Sequence, residues 1–101
     1  MRDVWWDEGD AAHIRSRSTR YGEGAIDIEP HWTLEAATDP KRIEREPDPK
    51  SWRGDNRIIG HSTTAGFVIT IIADADDGSG VTAWKASGPD LRDYQRQKED
   101  Q

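Results

Sequence analysis

Arg57, His61 and Lys85 are the side chains in this sequence whose types suggest chemistry. They fall within GDNRIIGHSTTAGFVITIIADADDGSGVTAWKAS, residues 54–87, where apolar runs are punctuated by glycines. Arg57 opens one run, His61 closes it and Lys85 lies near the end of another. Cleaving RNA without a metal needs a base for the 2′-hydroxyl, a cation for the phosphorane charge and an acid for the leaving 5′-oxygen. Arginine and lysine suit the second role. Histidine or tyrosine suits the others, and Tyr94 is the tyrosine placed to join His61. The ordinary alternative has Arg57 paired with Asp55 or Glu44 at a strand edge, Lys85 solvated on an outer strand and His61 wet at a hairpin end.

Other chemistries are excluded by what is missing. The chain has no cysteine, which removes disulfides, thiolate zinc sites and thiol nucleophiles together. His13, His31 and His61 are far apart and form no paired ligand motif, so neither a metal nor any other cofactor is expected. Asp74, Asp76 and Asp77 beside Gly78 lack the twelve-residue pattern of a calcium loop and its closing glutamate. The glycines form no phosphate-loop or dinucleotide fingerprint.

These side chains must be carried by a small domain. The 101 residues are 34% charged with a net charge of −6, so the core is small and the five tryptophans must supply much of it. Residues 1–101 are read as one domain with a frayed tail from about residue 96. The longest apolar run, Phe67 to Ala73, is too short to span a bilayer, and nothing near the start resembles a signal peptide. A cytoplasmic protein without membrane contact is expected. The acidic balance lowers affinity for nucleic acid and favours a basic protein partner.

Asp7 is placed to cap a helix reaching toward Arg20, and Pro30 to Thr38 reads as a second helix ended by Asp39-Pro40. Strands are expected over about 41–46, 57–62, 66–74 and 81–86, with the nearly continuous Phe67–Ala73 run in the centre. A terminal helix follows Pro89, with Leu91 and Tyr94 on one face. This order predicts an α+β fold in which helices pack on one face of a small antiparallel sheet of three to four strands.

In order along the chain, Trp6-Asp7-Glu8, His13-Ile14 with Tyr21-Gly22, Glu35-Ala36-Ala37-Thr38-Asp39-Pro40, Arg57-Ile58-Ile59-Gly60-His61-Ser62 and Val81-Thr82-Ala83-Trp84-Lys85-Ala86-Ser87 followed by Tyr94 form a pattern. It resembles that of the BrnT-type toxins of bacterial type II toxin–antitoxin systems. The resemblance implies a RelE-like ribonuclease fold, RNA as substrate and a cognate antitoxin as partner. It matches Arg57 and Lys85 to cationic positions of the family's strands and Tyr94 to its helix tyrosine. Trp84 stands where the pattern has a further arginine.

Two readings follow. In the first, the chain is a metal-independent endoribonuclease with Arg57 and Lys85 on the phosphate, and His61 or Tyr94 moving protons. Arg15, Arg17 and Arg20 would then guide RNA, with Trp84 stacking on a base. In the second, the same fold is catalytically inactive and binds a basic, antitoxin-like or other protein, with Trp52 as the suspected contact. Both readings leave a homodimer open. Trp5, Trp6 and Trp32 are read as core.

Overall fold

The computed structural model describes residues 3–99. Its central strand is the one the sequence marks most clearly. Phe67–Ala73 (β3) is a run of β-branched and apolar residues, buried on both faces after Phe67. Asn56–Ser62 (β2) and Gly80–Lys85 (β4) flank it, and the short Ile43–Arg45 (β1) lies beyond β2. All neighbours are antiparallel, in the order β1-β2-β3-β4. The chain is thus α+β, with the expected strands trimmed by a residue or two at most of their ends.

Helices cover both faces, which corrects the one-faced arrangement predicted from element order. Glu8–Arg15 (α1) and Pro30–Ala37 (α3) pack on one face, where Ile14, Ile28 and Ala36 meet Ile58, Ile69, Ile71 and Ala83. Gly88–Glu99 (α4) packs on the other, where Tyr94 and Leu91 meet Ile59 and Val68. A strand covered on both sides is buried along its length, and β2 and β3 are so apart from His61 and Phe67; β3 does it with apolar side chains but for Thr70, whereas β2 also buries Asn56, Arg57 and Ser62. Charge-rich α4 hid this role, because Leu91 and Tyr94 are the apolar side chains it turns toward the sheet and the buried Asp90 beside them is a carboxylate.

The first helix is shorter than predicted. Asp7 caps it through the Asp10 N–H at 2.8 Å, as expected. It breaks at Ser16, whose hydroxyl donates back to the carbonyl of Ala12, and a short helix, Arg17–Tyr21 (α2), follows. The last helix runs to Glu99; of the tail read as frayed from about residue 96, residues 100 and 101 lie outside the described residues. Trp6 and Trp32 pack against the core, but Trp5 is 47% exposed, contrary to its reading as core. Among the described residues, no helix is long and apolar enough to cross a membrane.

Candidate functional site

Antiparallel partners share a face, and successive residues alternate between faces. Arg57 is opposite Ile72, which is opposite Thr82, while Lys85 is opposite Ile69. Ile69 and Ile72 are three residues apart on one strand, so Arg57 and Lys85 project from opposite faces. Arg57 points under α4. Lys85 points to the α1/α3 side, its ammonium 5.2 Å from the centroid of Phe67. The two cations do not converge on one phosphate.

Arg57 is also fully engaged. Its Nε donates to Asp48 at 3.0 Å and its Nη1 to Asp90 at 2.6 Å, and all three side chains are buried. The Thr70 hydroxyl adds a donor to Asp90 at 2.9 Å, and the guanidinium lies 5.5 Å from the Trp84 ring. Neither partner weighed from the sequence takes part. Glu44 pairs with Arg42, and Asp55 lies 3.8 Å from Arg53.

His61 and Tyr94, in contrast, do meet. Both line a cleft of about 410 Å³ with Glu35, Asp39 and Lys41. Asp39 is its centre, accepting from the Tyr94 hydroxyl and from the backbone N–H groups of His61 at 2.9 Å and Lys41 at 3.0 Å. Burial pushes the Asp39 carboxyl up, yet these donors together hold it below the usual aspartate value. Burial, then the hydrogen bond to Asp39 and its charge, pushes the Tyr94 hydroxyl well above the ordinary tyrosine range. Tyr94 therefore keeps its proton and serves in this cleft as a hydrogen-bond donor to Asp39. Sequence reading took Asp39 only as a helix terminator; the Asp-Pro pair gave no sign of the groups that reach it from the far end of the chain.

Glu35, on the rim, binds the Thr64 hydroxyl at 2.6 Å, the Ser62 hydroxyl at 2.7 Å and the Thr64 N–H at 2.9 Å. These donors, Thr64 foremost, pull its carboxyl from 4.5 down to about 2. A depressed carboxyl adds stability that is complete above its unfolded value and is lost as pH falls through its folded one. Wild-type protein is therefore expected to lose denaturant midpoint between about pH 4.5 and 2, and Glu35→Gln to lose less over that window. Chemical denaturation at pH 5 and pH 2.5 measures the difference.

No family model and no curated protein matches this chain. The remaining residues singled out from the sequence must be placed by geometry alone. Arg15 is paired with Glu29 at 3.2 Å and Arg20 lies against His13 at 3.4 Å, whereas Arg17 sits 4.8 Å over the ring of Tyr21. Arg17, Trp84 and Lys85 line a second groove, around the end of β4. Among the described residues, no three His, Asp or Glu side chains gather where they could hold a metal.

Trp52 is 93% exposed, in the connection between β1 and β2. That connection is held tightly for a surface loop. The Asp48 N–H donates to the Asp55 carbonyl at 2.7 Å, the Ser51 N–H to the Asp48 carbonyl at 3.0 Å, and the Asp55 N–H to the Ser51 hydroxyl at 3.1 Å. Asp48 is the same carboxylate that Arg57 grips. The buried ion pair thus anchors the loop that displays the tryptophan.

Proposed function

We propose that this chain is a BrnT-like, RelE-type module that acts by binding a basic protein, of the antitoxin-like kind, without cutting RNA. The observation that carries this reading lies at one end of the sheet. The β1–β2 loop with Trp52 and the β3–β4 turn sit at that end, where Asn56 pairs with Ala73 and Ala73 with Gly80. Trp5 joins them, its indole donating to the Asp77 carbonyl at 2.9 Å and its backbone bridging Ser79. Two exposed tryptophans therefore stand with Asp7, Glu8, Asp76 and Asp77, all exposed, at one end of an acidic molecule. Aromatic anchors on a preordered frame are what tight interfaces use, and surplus carboxylates steer a basic partner toward them.

The test is titration of the purified chain with small basic DNA-binding proteins, beginning with any that a neighbouring reading frame encodes. Trp52→Ala is expected to weaken binding by about 2 kcal/mol, a hot-spot loss, while leaving stability within about 0.5 kcal/mol. Unchanged affinity in that variant would remove Trp52 from the interface.

One observation favours the nuclease reading instead: His61 and Tyr94 share the Asp39 cleft with Lys41. Growth arrest on expression of the chain alone, abolished by His61→Ala, would select it over the binding reading.

A further inference from the structure

We propose that two copies of this chain close on each other, end to end, through the sheet end that carries Trp5 and Trp52. This is the surface on which the binding reading rests. A second copy is a further occupant for it, with which a basic partner has to compete.

The charges around the two tryptophans have opposite signs. Lys50 and Arg53, both exposed, flank Trp52 in its loop. The loop's carboxylates are turned inward: Asp48 is buried against Arg57, and the buried Asp55 lies 3.8 Å from Arg53. Among residues 46–55, Glu46 is the one acidic residue left exposed. Around Trp5 stand Asp7, Glu8, Asp76 and Asp77, all exposed, and residues 74–80 include no lysine or arginine. Each half of this end therefore suits the other half and repels its own kind.

Their placement decides how two copies can meet. The loop lies beyond β1 and β2 and the turn beyond β3 and β4, in a sheet whose strands are about 4.8 Å apart, so the two are centred about 10 Å apart. A two-fold axis normal to the sheet, passing between the ends of β2 and β3, sets the Trp52 loop of each copy over the acidic turn of the other. A two-fold axis in the plane of the sheet sets like charge on like. The first arrangement makes every contact twice and closes at two copies.

The tryptophans supply apolar area. Each removes roughly 150–250 Å² from water when buried, and Trp52, 93% exposed, stands on a loop that Asp48 fixes through the Lys50 N–H and Arg57. The molecule measures 37 × 31 × 23 Å, so an end face is of the order of the roughly 800 Å² per partner that stable interfaces bury. The net charge of −6 on each copy opposes the approach. At about 0.15 M salt the Debye length is about 8 Å, which screens the two bodies from each other but not charges in contact.

The test is sedimentation equilibrium of the full chain alone at that salt concentration, from about 5 to about 500 µM. Monomer and dimer are expected, half-converted near about 20 µM, with no larger species. Lys50→Glu with Arg53→Gln makes both halves acidic, and Glu8→Lys with Asp76→Lys reverses charge on the other side. Each pair alone should weaken the dimer at least about tenfold, the second even though it brings the net charge closer to zero. Neither pair touches the side-chain bonds that shape the turn, which run through Asp74 and Asp77. Mixed one to one, the two variants should form a heterodimer about as tight as the wild-type dimer, which also shows that both fold. Trp52→Ala, which alters no charge, should weaken the dimer at least about tenfold as well. Monomer alone up to about 500 µM would overturn the proposal. So would a mixture no tighter than its components, a dimer unaffected by Trp52→Ala, or growth beyond two copies, the mark of a head-to-tail contact. No basic protein is present in these measurements, so their failure leaves the binding reading to its own titration.

Discussion

Replacing Arg57 by alanine is expected to lower the melting temperature by more than about 12 °C, the largest effect of any surface-distant charge in this protein. The reason is the pair it would strand. Asp48 and Asp90 have side chains only 4% and 12% exposed, and each takes a charged donor from the one guanidinium. Removing one member of a buried ion pair typically costs about 3–5 kcal/mol, because the partner keeps its charge without its counterion. Here two carboxylates are stranded at once. For a domain of about 100 residues, each kcal/mol is worth roughly 4–8 °C.

Two companions make the result interpretable. Arg57→Lys keeps a cation but loses the fork that reaches two carboxylates, so its loss should fall between wild type and alanine. Asp93→Ala removes the Arg45–Asp93 bridge, whose side chains are 30% and 33% exposed, and should cost under about 1 kcal/mol. A residue held in readiness for a phosphate would behave differently: its removal would leave the melting curve in place and abolish only activity. Arg57→Ala should also weaken partner binding while still folded, because Asp48 anchors the loop that carries Trp52.

The sequence made the sheet legible and the site much less so. The run FVITIIA can only be a buried strand, and Pro30 and Asp39-Pro40 bracket a helix with local chemistry alone. Trp52 was also legible, since a tryptophan among prolines and charges has no apolar neighbour to hide against. That Arg57 and Lys85 project from opposite faces was not legible. That depends on the register, which the β3–β4 turn and the irregularity at Ile72 and Ala73 fix. A shift of one residue would have placed the two cations together. Nor could spacing name the partners of Arg57, because Asp90 is 33 positions away and reaches it only through α4 lying on the unexpected face. The Asp39–Tyr94 contact, 55 positions apart, was hidden in the same way. Trp5 misled for the opposite reason. Its type says core, but its indole N–H finds a carbonyl at the surface turn and the ring stays half in water.

Gly60→Ala is expected to be the other severe variant, costing about 3 kcal/mol through a backbone collision. A Cβ on Gly60 would lie 2.0 Å from the carbonyl oxygen of Ala36 and 2.8 Å from its carbon. Neither atom can rotate away, because both belong to the last turn of α3, and Ala36 is itself fully buried. The helix must lift off β2, opening the core around Ile58 and Ile69. Gly66→Ala offers the contrast. Its Cβ would meet nothing within 4 Å, but the backbone φ of +81° is strained for any residue with a Cβ, so about 1–2 kcal/mol should be lost by conformation alone. Denaturant midpoints rank the two. The functional readout separates them further, because α3 carries Glu35 and leads into Asp39. Lifting it pulls Asp39 away from the His61 N–H and the Tyr94 hydroxyl. The raised ionisation of Tyr94 should then fall back toward that of an ordinary tyrosine in Gly60→Ala and stay raised in Gly66→Ala, which ultraviolet titration of the phenol would record. If both variants titrate like wild type, α3 does not hold the cleft, and the β2–α3 seam serves stability alone.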